Sequence, residues 1–114
     1  MGYSKQTGEV IILITKTEIR NIPLDSILYF ECDGSLTQVY HTENDTINNF
    51  IGTLKKLETE YADYGFLRIS HNCLVNMRHM VCCKTKTHEL NLKNKFFLKV
   101  SRRKWHFIKD LHKS

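Results

Sequence analysis

Acidic residues are nearly missing from the second half of this chain. Residues 68–114 hold only Glu89 and Asp110 against twelve Lys and Arg, a balance of +10. Residues 1–67 reverse the sign: Lys5, Lys16, Arg20, Lys55 and Lys56 stand against ten Asp and Glu, a balance of −5. The net charge of +5 over 114 residues therefore hides a strong asymmetry. Such an asymmetry points to a polyanion as partner for the basic half. A solvated basic face with no partner is the plainer alternative.

Other absences narrow the choice. No apolar run approaches the ~20 residues of a membrane-spanning helix. Residues 1–8 are polar and lack the apolar core of a signal peptide, so the chain is expected in the cytoplasm, away from membranes. There is no Gly-rich phosphate loop, no Gly-x-Ser-x-Gly elbow, no His-Glu-x-x-His and no spaced carboxylate pair. Cys73 lies two residues from His71, but neighbours on an extended chain need not face each other, so they make no nucleophile–base pair. No catalytic residue and no cofactor is assigned, and the chain is read as a protein other than an enzyme.

The four cysteines, Cys32, Cys73, Cys82 and Cys83, suggest no disulfide framework. Adjacent Cys82 and Cys83 would point to opposite sides of a strand, and a cytoplasmic chain keeps its thiols reduced. They read as small apolar fillers or exposed thiols. His71, Cys73, His79, Cys82, Cys83 and His88 cluster in sequence, yet closed zinc sites use two compact ligand pairs. Here His79 and Cys82 supply one, His71 and Cys73 are too closely spaced, and no metal is expected.

Repeats, low-complexity tracts and linkers are also missing, and the length suits one domain with its own core. Residues 9–114 read as that domain, and residues 1–8 as a disordered tail or linker remnant. What is present is mostly β. Residues 9–15 are apolar and β-branched, and 16–23 read as a second short strand before Pro23 and Asp25 break the chain. Strands over 27–31 and 36–41 flank Asp33-Gly34, a strong hairpin signal. A turn at Glu43-Asn44-Asp45 leads into 46–48, completing a meander.

A central helix follows: Phe50, Leu54, Leu57 and Tyr61 recur at spacings of four, three and four, with Lys55, Lys56, Glu58 and Glu60 outward. Asn48 or Asn49 would cap it, and Gly65 would end the segment. Residues 66–69 resume as strand, and 71–80 read as a turn region. Strands over 81–85, 89–92 and 95–100 follow, with a tight turn at Lys93-Asn94. A short last helix, capped by Ser101, presents Trp105, Ile108 and Leu111 on one face.

Two stretches stand out. Phe66-Leu67-Arg68-Ile69-Ser70-His71-Asn72-Cys73-Leu74-Val75-Asn76 places a polar His-Asn pair between apolar segments. Ser101-Arg102-Arg103-Lys104 places three cations at a helix start, where unpaired N–H groups and the positive dipole end favour acids. An anion arriving from outside, such as a phosphate, would suit that end.

These stretches, with Ile22-Pro23-Leu24-Asp25-Ser26-Ile27-Leu28-Tyr29-Phe30-Glu31, Leu54, Leu57, Glu58 and Val100, resemble the LytTR DNA-binding domain, the output module of many bacterial response regulators. The resemblance runs from about Val10 to Leu111, in order and at matching separations. It implies about ten short strands in small stacked antiparallel sheets, and DNA met by loops at successive major grooves. Three places should touch the duplex. One is the loop at Ser35, Leu36 and Thr37, where family members often carry a His or basic residue and this chain carries none. The second is His71-Asn72, where Asn can pair with adenine N6 and N7. The third is the cationic cluster, where Arg103 occupies the family's base-reading position and its fork suits guanine O6 and N7. Ser101, Arg102 and Lys104 fit phosphate contacts.

Each assignment has a rival. His71-Asn72 could instead satisfy backbone groups at a turn, and the cations could be a solvated helix start. Arg68 and Arg78 either support the phosphate surface or pair with acids. Asn76, between Val75 and Met77, is expected to fix a local turn rather than touch DNA. The function expected is sequence-specific binding of double-stranded DNA in bacterial transcription regulation. Two copies would sit on direct repeats, under a receiver domain or another regulatory protein. The alternative from another class is a basic interaction module that docks an acidic partner.

Overall fold

The computed structural model describes residues 10–33, 36–42, 46–50, 52–93 and 96–111. The expected tail at 1–8, Gly34, Ser35, Asn94 and the turn at 43–45 lie outside them. Ten strands and two helices are described: β1 (Val10–Ile14), β2 (Ile19–Pro23), β3 (Ile27–Asp33), β4 (Leu36–His41), β5 (Thr46–Phe50), α1 (Leu54–Tyr61), β6 (Phe66–Ser70), β7 (Cys73–Asn76), β8 (Met80–Lys84), β9 (Glu89–Leu92), β10 (Phe97–Lys99) and α2 (Arg102–Leu111). They form a β1–β2 hairpin, a five-stranded sheet in the order β5-β4-β3-β7-β6, and a three-stranded sheet in the order β10-β9-β8. All pairings are antiparallel. The fold is mainly β, as the sequence pattern indicates.

The five-stranded sheet is the middle layer. On one face, Ile27, Phe30, Val39, Phe66 and Leu74 pack with Ile11, Leu13 and Ile22 of the hairpin and with Leu54 and Leu57 of α1. On the other, Leu28, Tyr29, Ile69, Cys73 and Val75 pack with Leu90 and Leu92 of β9 and with Trp105 and Ile108 of α2. A register shift between Ile27 and Tyr29 turns Leu28 and Tyr29 to the same face, the usual effect of a bulge. Tyr29 stacks on Tyr40 at 4.3 Å between ring centroids, and burial raises the pKa of both phenols above the ordinary value.

This layering corrects the expected turn region. Cys73–Asn76 is a strand, with every residue buried, seated between β3 and β6. A strand covered on both faces shows no alternation of apolar and polar residues, so Cys73-Leu74-Val75 reads locally as an apolar turn. Asn76 matches its expectation. Its Nδ2 donates to the Ile27 carbonyl at 3.0 Å, and its Oδ1 accepts from the Arg78 N–H at 3.1 Å. It thereby holds the turn Met77–His79 against β3.

The central helix also starts later than its periodicity suggests. Phe50 ends β5, paired opposite Thr37, and Thr53 is the cap, its Oγ1 accepting from the Lys56 N–H at 3.2 Å. Pairing with β4 claims residues 46–50 before helix periodicity can. Gly65, at φ +95, ends the following turn in the left-handed region that side chains disfavour.

Candidate nucleic-acid interface

His71 and Asn72 form the two-residue turn between β6 and β7, and both are exposed. The turn is held from several sides. Arg68 Nη2 donates to the His71 carbonyl at 2.5 Å, and Ser70 Oγ donates to Asn72 Oδ1 at 3.0 Å. The Cys32 N–H of β3 donates to the Asn72 carbonyl at 2.8 Å. Asn72 is thus oriented, yet its amide stands at the surface with donor and acceptor capacity left. Next to it, the Cys73 thiol is pushed up to about 12 by burial and then by the charge of Glu31. It stays protonated and acts as an apolar filler.

The start of α2 is built as expected. The Lys104 N–H donates to Ser101 Oγ at 3.2 Å and the Trp105 N–H to the Ser101 carbonyl at 2.9 Å. Trp105 and Ile108 are buried, which turns Arg102 and Arg103 outward to solvent. Lys104 is half-buried, its Nζ 5.3 Å from the Phe107 ring centroid. No acid stands in the first turn, so three cations meet the positive helix end.

Tertiary structure brings the two stretches together. The Ser101 N–H donates to the Ile69 carbonyl at 2.7 Å, tying the helix start to β6. Between them lies a groove of about 400 Å³ lined by Glu58, Arg68, Ser70, His71, Ser101, Arg103 and Lys104. A second hollow adjoins it through Arg68 and His71, and Asp33, Thr53, Lys55 and Asn72 line it too. The end of β3, the first turn of α1 and the His71-Asn72 turn therefore share one surface with the cations of α2.

Not every expected residue reaches that surface. Thr37 is fully buried, its Oγ1 donating to the Gly52 carbonyl at 3.0 Å. It secures β4 against the β5–α1 connection and cannot reach a phosphate, because alternation along β4 turns it inward. Leu36 beside it is exposed, and Ser35 lies outside the described residues. Both arginines left open pair with acids: Arg68 with Glu58 at 3.1 Å and Arg78 with Asp25 at 3.2 Å. The Arg68 side chain is only 19% exposed, which makes it a support beneath the turn.

Lys55 and Glu58 also line this surface, although the sequence alone did not assign them to the site. Their outward placement on α1 was visible, but which outward residues overlook β6 depends on how the helix packs. Among the described residues, no three His, Cys, Asp or Glu side chains gather as metal ligands. No helix there is long and apolar enough to cross a membrane.

Comparison with known proteins follows the same line. The family model of the LytTr DNA-binding domain matches residues 17–113. Among solved structures, the chain is similar to the LytTr DNA-binding domain of a protein titled a methyl-accepting/DNA response regulator from Bacillus cereus. The TM-score is 0.77 at 21% identity, over 90% of this chain and 95% of that one. At that identity the likeness speaks for the fold. No curated protein matches the chain.

Proposed function

The chain belongs to the LytTR family of DNA-binding domains, which bind DNA in transcription regulation, and we propose that it reads double-stranded DNA in a sequence-specific way through the groove between the His71-Asn72 turn and the start of α2. The observation that carries this reading is the union of those two stretches in one concave, mainly cationic surface. Arg103 offers its fork to guanine O6 and N7, and Asn72 its amide to adenine N6 and N7, with His71 beside it. Arg102, Lys104 and the Ser101 hydroxyl take phosphates, and Lys55 extends that track. Arg68 acts from below by holding the His71 carbonyl.

Lys and Arg would supply most of the affinity by releasing counterions, and the base contacts most of the discrimination. Two copies would occupy direct repeats in the bacterial cytoplasm, each laying this surface against the duplex, with bending of the DNA improving the fit. Control would come from a receiver domain or another regulatory protein. The proposed activity is binding, with no chemistry on the DNA.

Selection of bound sequences from a random duplex pool tests the reading. A preferred sequence should emerge and keep its advantage over random duplex as salt rises. With about four to six phosphates contacted, log K against log salt should fall with a slope near −4 to −5. A flat salt dependence, or no preference once charge is screened, would overturn it in favour of a module docking an acidic protein.

A further inference from the structure

Among the described residues, Glu58 is the one acid lining a groove whose other residues are Arg68, Ser70, His71, Ser101, Arg103 and Lys104. Leu54 and Leu57, both buried, fix the face of α1 that looks inward and leave Glu58 at its border, over β6. Its Oε1 lies 3.1 Å from Arg68 Nη1, and the other end of the same guanidinium holds the His71 carbonyl. The Arg68 Nε is buried and has no hydrogen-bond partner among the described residues. The two terminal nitrogens therefore carry all the anchoring, one to helix α1 and one to the turn.

We propose that Glu58 is a positioning residue that sets DNA specificity by orienting Arg68 beneath the His71-Asn72 turn and by repelling phosphate that enters the groove without the correct base contacts. This deepens the DNA-binding reading and rests on it. The first effect is geometric. A planar fork pinned at one nitrogen has a fixed direction at the other, so the carboxylate determines where the His71 carbonyl, and with it the turn, is held. The second effect is electrostatic. A like charge facing phosphate weakens every duplex, but only the correct site offsets the penalty with base contacts. The geometric effect acts on the selected site and raises the ratio of specific to random binding, while the electrostatic effect keeps binding to every duplex weak unless base contacts are made.

The experiment compares Glu58→Gln and Glu58→Asp with the parent on the selected duplex and on random duplex, with a thermal melt of each. Glu58→Gln keeps a hydrogen-bonding oxygen and loses the charge. Its affinity for the selected site should fall about threefold to tenfold, while random binding rises about twofold as repulsion is relieved. Glu58→Asp keeps the charge but is too short for the 3.1 Å contact. It should lose affinity for the selected site and leave random binding unchanged. A readout without DNA accompanies these: in both variants the Cys32 amide, bonded to the Asn72 carbonyl, should exchange hydrogen faster, while the Leu92 amide, bonded to the Phe96 carbonyl, should not change.

Equal shifts on both duplexes with unchanged Cys32 exchange would overturn the proposal, as would a fall on both in step with the melting temperature. If the parent itself shows no sequence preference, the DNA-reading function fails. The amide exchange still decides, separately, whether Glu58 positions the turn.

Discussion

The His71-Asn72 turn and the Ser101 start of α2 meet at one groove, but they are held there by different means. The helix start is a local device: Ser101 caps the N–H of Lys104, three residues on, and the Trp105–Ile108 spacing points Arg102 and Arg103 outward. The turn depends in part on residues remote from it in sequence. Cys32 of β3 binds the Asn72 carbonyl, Arg68 binds the His71 carbonyl, and Glu58 of α1 holds Arg68. The turn also joins β6 to a strand buried on both faces. Arginines at a capped helix end can be read from a short motif, whereas a turn on a sheet inherits its position from the whole fold.

Substitution in β7 should break this contrast most strongly. Leu74 is fully buried among residues of the hairpin, β3 and α1. Leu74→Ala should cost about 2–5 kcal/mol of stability, measured by urea denaturation. Because the turn rests on that strand, both specific and random binding should vanish near the lowered melting point.

Arg103→Ala leaves the fold alone, since the side chain is exposed. It should cost about 1–3 kcal/mol more on the selected duplex than on random DNA. Equal weakening on both would move base reading elsewhere in the cluster. Ser101→Ala tests how local the helix start is. It should lower stability by about 1 kcal/mol, with faster amide exchange in α2 and none at Cys32. A matching change at Cys32 would show that the two segments are coupled and would erase the distinction between them.

Lys104→Ala should weaken selected and random duplexes by similar factors and make the salt slope shallower by about one unit. A changed sequence preference would assign Lys104 a base contact. The smallest effect concerns the thiols. Cys82 is exposed, whereas Cys73 is buried with its pKa pushed up to about 12. At neutral pH a thiol reagent should label Cys82 and leave Cys73 untouched, because the thiolate is the reactive form and a raised pKa suppresses it. Mass spectrometry of the labelled chain checks this, and DNA binding should survive the labelling. Rapid labelling of Cys73 would mean that the strand beneath the turn opens readily.

By itself the sequence determined the elements whose cause is local. Ser101 caps α2, Gly65 ends the helical segment, and the second half is poor in acids. The part Asn76 plays at its turn was legible too, because a single Asn between apolar residues has few other uses. Tertiary structure decided the rest. It made Cys73–Asn76 a strand, because a strand covered by layers on both faces has no period to reveal it. It gave residues 46–50 to a sheet, because pairing with β4 outweighed a four-residue spacing. It turned Thr37 inward and placed Arg68 under the turn, since burial and ion pairing depend on neighbours far along the chain. The groove itself belongs to that second group: α1, β6 and α2 meet there only because the side chains beneath them share the two packed faces of one sheet.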